Sequence, residues 1–292
     1  MDTLICSELI LNNDGSVYHL KLHPEDIADT IIVVGDPNRV PLISKHFDKI
    51  SLTKSNREFV THTGYIGKKH ISVMSTGIGV DNIDIVFNEL DILSAIDLTS
   101  RTINKTKRTF NIIRLGTTGG ISDKINLDDI LFSKYAIGID GVPHHYKHDS
   151  NLFEQALSQE FAQKTNWSAK LAEPYAVGSS DLLWDHMYED QFNKGITLTM
   201  NGFYAPQGRS LRIPLSQPDV LKNCDLIKFN NLKVSNIEME TAGLYAFGKI
   251  FNHKVISLST VLANRATGLF SSNPSKSIEK MIKFALSKLE SL

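Results

Sequence analysis

Ile112-Ile113-Arg114-Leu115-Gly116-Thr117-Thr118-Gly119-Gly120 sets a charged side chain inside a short apolar run and follows it with threonine and glycine. Branched apolar residues in so short a run read as a strand buried on both faces. An unpaired charge there would cost several kcal/mol, on the order of 2–7 for a polar group and more for an ion. Arg114 therefore needs a partner, which is either a buried Asp or Glu or a bound anion. The residues after it, two threonines among three glycines, offer hydroxyls and bare amides, the materials of an anion-binding concavity. No Walker-type lysine follows, so the expected anion is small.

Similar runs lie on either side. Ile31-Ile32-Val33-Val34 ends at Gly35, Ile71-Ser72-Val73-Met74 at Ser75, and Ile130-Leu131-Phe132 and Val255-Ile256-Ser257-Leu258 come later. Between them lie apolar stripes at helical spacing: Ile83, Val86, Phe87 and Leu90; Ala242, Tyr245 and Ala246; and Ile278, Ile282, Ala285 and Leu289. Strands alternating with helices predict one α/β domain over residues 1–292 with a largely parallel sheet. Ligands in such folds bind beyond the carboxyl ends of the strands, where these glycines fall. The segment from Asp97 to Thr109, with Arg101, Lys105, Lys107 and Arg108, reads as a solvated loop.

Lys plus Arg total 31 and Asp plus Glu 32. That balance argues against a nucleic-acid or membrane-surface binder working by bulk charge. Two cysteines, Cys6 and Cys224, are too few for a disulfide framework and imply a reducing compartment. With no secretory signal and no apolar run near the roughly 20 residues of a membrane helix, the expected location is cytoplasmic.

Gly35-Asp36-Pro37-Asn38-Arg39 follows directly on the first strand. Glycine admits an anion close to the backbone, proline fixes the turn, and Arg39 can aim a planar charged fork at an oxyanion. The same pentapeptide also reads as plain loop chemistry. Ile237-Glu238-Met239-Glu240-Thr241 precedes a helical stripe, so its carboxylates either cap that helix or accept hydrogen bonds from a ligand.

Taken in order, Tyr18-His19-Leu20, Gly35 to Val40, Asn56 to Phe59, Ser75 to Gly79, Ile113 to Gly120, Gly202 to Arg209, Asn236 to Thr241 and Asn264-Arg265 resemble the uridine phosphorylase branch of the nucleoside phosphorylases. The resemblance implies a single α/β domain around a mixed, partly barrel-like sheet flanked by helices. It implies phosphate held by Gly35, Arg39, Arg114 and Thr117, with Arg57 supplied by a neighbouring subunit. Ribose would meet Glu240, Met239 and the neighbour's His19; the base would meet Phe203, Gln207, Arg209 and Gly119. Arg114, Arg209 and Glu240 are the expected catalytic groups. Phosphate is then a co-substrate, no further cofactor is needed, and a homodimer or homohexamer is required for shared sites.

Within that reading, a glutamine amide can pair with adjacent donor and acceptor groups of a uracil ring. Arg209 would bind the departing base anion more strongly than the nucleoside, which is catalysis by differential binding. Without the resemblance, the same segment reads as a surface turn. Relatives hold a monovalent cation near the positions of Glu58 and Ile78, but Asp81-Asn82 stands where they have small residues. His144, His145 and His148 fit no standard metal spacing. The loop from Leu98 to Phe110 is longer than in short bacterial relatives. A purine nucleoside phosphorylase is the nearest alternative, but that branch commonly places Asp where this chain has Arg265. A water-using nucleosidase does not need three converging arginines. From another class, a non-catalytic nucleoside-binding protein on the same fold is the alternative.

Overall fold

A computed structural model describes residues 3–292. The strands are β1 (Thr30–Val34), β2 (Lys49–Asn56), β3 (Phe59–Ile66), β4 (Lys69–Ser75), β5 (Ile96–Asp97), β6 (Thr102–Ile103) and β7 (Asn111–Gly120). They continue with β8 (Ile130–Gly138), β9 (Tyr175–Gly178), β10 (Asn193–Thr199), β11 (Lys228–Phe229), β12 (Leu232–Glu238), β13 (Lys254–Asn264) and β14 (Leu269–Phe270). The helices are α1 (Arg39–Ser44), α2 (Val80–Ala95), α3 (Leu152–Lys164), α4 (Asp181–Met187), α5 (Val220–Cys224), α6 (Thr241–Ile250) and α7 (Pro274–Leu289).

The strands do not form the largely parallel sheet that the alternation alone predicts. β7, β13, β8, β10 and β12 close on themselves, because β12 pairs back onto β7 through Asn236–Gly120 and Ile237–Gly119. β7–β13, β8–β10 and β10–β12 are parallel, whereas β8–β13 and β7–β12 are antiparallel. The result is the mixed, barrel-like sheet that the family resemblance implies. β1, β4, β3 and β2 extend it outward from β7. Closure removes the free edges that would otherwise need covering.

β7 extends well past its apolar run Ile112–Leu115, continuing to Gly120, matched residue by residue against β13 apart from one bulge. Thr118 is buried in the barrel because its hydroxyl finds partners. Thr118 donates to the Ile237 carbonyl at 2.7 Å and accepts from the Asn236 amide at 2.8 Å.

The helical stripes hold. Ile83, Val86, Phe87 and Leu90 of α2 and Ala242, Tyr245 and Ala246 of α6 share one core with Val33 and Ile112. Ile282, Ala285 and Leu289 of α7 join Ile113, Leu115 and Ile256 in another on the opposite face of the sheet. A helix on each face explains why these strands read as continuously apolar.

The basic segment after Asp97 is not a free solvated loop. Arg101 donates to the carbonyls of Leu4, Ile5 and Leu9, and Arg108 to Asp29 and to the carbonyls of Pro24 and Ile27. Lys107 joins Asp91 and the Phe251 carbonyl. These cations stitch the insertion to the body of the protein, since guanidinium supplies several donors in a fixed fork. No helix among the described residues is long and apolar enough to cross a membrane.

Candidate active site

At the carboxyl ends of β1 and β4, along β7, and at the end of β12 lies a cleft of about 650 Å³. Gly35, Arg39, Arg114, Thr117, Gly119, Phe203, Gln207, Arg209, Met239 and Glu240 all line it, so the sequence-predicted residues converge from across the chain. Glu58, Ile78 and Asn82 line it too.

Arg114 resolves the choice posed by its sequence. Its guanidinium is buried and pairs with Glu240, and with Glu238 at 2.9 Å, while also donating to Ser259 Oγ at 3.1 Å. The partner of the buried charge is thus a pair of carboxylates, one at the last residue of β12 and one between β12 and α6. Gly116 makes this possible. A Cβ there would lie 1.8 Å from Arg114 Nη1, so only glycine lets the guanidinium fold back over its own strand.

Arg39, at the start of α1, donates to the Leu115 carbonyl at 3.1 Å and so reaches the same strand. Burial, and then the neighbouring Arg114, push its ionisation below the usual arginine range. Two guanidiniums held close against their mutual repulsion, beside Thr117 and Gly35, form a corner rich in charged donors that suits a small anion. Glu240 lies at the boundary between β12 and α6. Its carboxylate accepts the Gly79 N–H at 2.9 Å in addition to Arg114. Gly79 has φ of 93°, a conformation that favours glycine. Burial, opposed by Arg114 and reinforced by Glu238, raises the Glu240 carboxyl above its ordinary range.

The other end of the cleft is built on one turn. Gly208 N–H bonds the Ala205 carbonyl at 2.9 Å, which places Pro206 and Gln207 at the centre of the turn. Arg209 stacks 3.8 Å above the Phe203 ring centroid and donates to Gln207 Oε1 at 2.6 Å. Burial, and then Arg265, lower the Arg209 ionisation. Arg265 was matched in sequence without a role; it donates to the Gln207 and Gly208 carbonyls at 2.9 and 3.3 Å and so braces the turn from behind.

His19 and Arg57 do not line this cleft. Arg57 is exposed at the β2–β3 turn, with φ of 53°, and its guanidinium lies 5.9 Å from the Tyr18 ring. His19 binds Glu89 at 2.7 Å, and its carbonyl accepts from Asn56 of the same hairpin. Both therefore belong to one outward-facing patch. Glu58 and Ile78 do reach the cleft, where the Asn82 amide packs against Gly77. His144 and His148 bind carbonyls of Glu173 and Tyr146.

Sequence reading missed Leu262, Phe270 and Asn82 as lining residues, and for Glu238 it left capping the helix and meeting a ligand both open; Glu238 does cap α6, and it also pairs with Arg114. Phe270 carried no signal: it is an exposed aromatic in a polar stretch, brought to the cleft by β13–β14 pairing. Glu238 was discoverable, because a buried arginine demands carboxylates and Glu238 stands two residues from Glu240.

The model of the phosphorylase superfamily matches residues 29–289. The chain belongs to that superfamily. It is 29% identical to a uridine phosphorylase of Thermococcus kodakarensis, over 92% of this chain and 85% of that one. It is 36% identical to a uridine phosphorylase of Treponema pallidum, over 86% and 85%. A crystal structure of a Trypanosoma brucei nucleoside phosphorylase, described as showing uridine phosphorylase activity, superposes with a TM-score of 0.88 at 27% identity, covering 97% of this chain and all of that one. Superfamily membership accords with the closed mixed sheet and with a cleft that has one arginine-rich end and one end built on the Pro206–Gln207 turn.

Proposed function

We propose that this chain catalyses phosphorolysis of a pyrimidine nucleoside, with uridine as substrate, giving uracil and ribose 1-phosphate. The observation that carries the reading is one cleft lined together by Arg39 and Arg114, by Glu240 and Met239, and by Gln207 and Arg209 of the Pro206–Gln207 turn. Phosphate would sit at the paired guanidiniums, beside Thr117 and Gly35. Its oxygen attacks C1′ as the C1′–N1 bond breaks; the bond's electron pair leaves with the base, which then takes a proton from solvent. Glu240 would hold the ribose hydroxyls, fixing the sugar as it flattens, and such positioning supplies much of the rate. Negative charge gathering on the base would be met by Arg209, whose donors gain strength in a partly dry site. Phosphate itself is the nucleophile, so the reaction as drawn calls on no metal or cofactor.

The curated uridine phosphorylases spanning most of this chain support the choice of base. The outward patch of Arg57 and His19 supports a homodimer or homohexamer in which each subunit completes its neighbour's site, and the two unpaired thiols fit a cytoplasmic enzyme. Incubation with uridine and phosphate should release uracil and ribose 1-phosphate. Turnover that persists in phosphate-free buffer would mean hydrolysis. Activity confined to inosine or guanosine would move the chain to the purine branch, and binding without turnover would make it a non-catalytic nucleoside binder.

A further inference from the structure

Glu238 and Glu240 both reach the same nitrogen of Arg114, Nη2. Glu240 has one other donor, the Gly79 N–H. Glu238 has a full complement: Thr199 Oγ1 at 2.6 Å, the Glu240 N–H at 3.1 Å, and the Thr241 N–H and hydroxyl at 3.0 and 2.9 Å. One carboxylate is therefore locked to β10 and to the first turn of α6, while the other carries a single donor on each oxygen, Arg114 on one and the Gly79 N–H on the other, and so keeps acceptor capacity for a ligand. Were Glu240 the sole partner of a buried guanidinium, the pair would close tightly, since breaking a buried ion pair is costly. The carboxylate would then be withheld from any ligand.

We propose that Glu238 is a positioning residue that takes a fixed share of Arg114, so that Glu240, though paired with the same guanidinium, keeps acceptor capacity for the sugar hydroxyls, and that it tempers the pull of Arg114 on phosphate. This rests on the phosphorolysis reading for the roles of Arg114 and Glu240. A carboxylate serving only to anchor α6 would act through stability alone. Charge sharing instead moves the two substrates in opposite directions. Removing one negative charge beside a dianion strengthens phosphate binding, while the released Arg114 draws Glu240 away from the nucleoside.

Glu238→Gln keeps the size and one acceptor oxygen, enough for the Glu240 N–H and the Thr241 N–H and hydroxyl, turns an amide donor toward the Thr199 hydroxyl, and removes the charge. Calorimetry with inorganic phosphate alone should show affinity rising by at least about tenfold, as expected when one negative charge close to a dianion is removed. At saturating phosphate, the KM for uridine should rise about tenfold. Glu238→Asp, which keeps the charge but withdraws it from Arg114, should shift both in the same senses by less, and it serves if the glutamine variant fails to fold. Phosphate affinity that is unchanged or weaker in both variants overturns the proposal, as do two affinities that fall together. A wild-type protein that binds phosphate but turns over no nucleoside overturns the substrate reading instead, and the phosphate arm then decides the charge sharing alone.

Discussion

Gly116→Ala tests the site at its tightest point. The added methyl carbon would stand 1.8 Å from Arg114 Nη1, 2.5 Å from its Cζ and 2.9 Å from Ser259 Oγ, so the guanidinium must move. It is the end of a flexible side chain, but it is pinned by Glu238, Glu240 and Ser259. Breaking a buried ion pair outright costs on the order of 3–5 kcal/mol, whereas forcing a packed side chain aside costs about 1–3. A loss of about 2–4 kcal/mol is expected, roughly 3–7 °C in Tm for a chain of this size. Displacement should also dismantle the anion corner, so uracil release from uridine and phosphate should fall at least a hundredfold, equivalent to about 2.7 kcal/mol of barrier. Gly119→Ala is the control for packing. Its Cβ meets Ile237 Cγ1 at 3.6 Å and the Ala263 carbonyl at 4.0 Å, ordinary contacts, so stability should change by less than about 1 kcal/mol. A Gly116→Ala protein with wild-type Tm, phosphate affinity and turnover would refute the account of Arg114.

His253 is buried, its Nε2 has no partner, and burial followed by Lys107 depresses its pKa to about 4. The folded state therefore stays neutral there while the unfolded chain takes up a proton near pH 6.5. The contribution is full above pH 6.5 and is lost as pH falls toward 4, by about 3 kcal/mol in all. Denaturant melts of wild type and His253→Gln should converge across that window, and a constant difference would count against it. The Cys224 thiol is pushed up to about 12 by burial, whereas Cys6 is exposed. A thiol reagent at neutral pH should modify one cysteine per native chain and two per denatured chain; two at once in the native protein would contradict the burial. If Arg57 completes a neighbour's site, Arg57→Ala and Gly116→Ala proteins, each nearly inactive, should regain activity when refolded together, because mixed oligomers contain intact sites. Absence of any regain would leave Arg57 outside the site.

The outline of this fold was legible where side chains speak for themselves. Gly35 and Ser75 end their strands as their positions suggest, and the stripes on α2, α6 and α7 are helices. The far half of β7 was hard to see because its glycines read as the end of a strand, whereas inside a closed barrel they are small enough to pass, and the Thr118 hydroxyl is satisfied by β12. Barrel closure itself is a long-range event, one β7–β12 pairing between residues over a hundred positions apart, and no local pattern encodes it. In the site, the need for a partner at Arg114 was evident from its apolar setting, but its identity depended on how two distant segments meet. The base end was least legible. Gln207 and Arg209 gain meaning only once Arg265 braces their turn, and Phe270 owes its place to a two-residue strand.

β7 fixes more than the partners of Arg114. Strand residues advance by about 3.3 Å each, so the distances from Arg114 to Thr117 and on to Gly119 are written into a backbone clamped along its length by β13, over its first half by β1 and at its far end by β12. The site thus carries a ruler that side-chain replacement cannot stretch. A change in the size of the molecule it accepts must come from the turn at Pro206–Gln207 or from the β13–β14 hairpin. Variation in specificity should therefore concentrate in those two segments, while the anion corner keeps its dimensions.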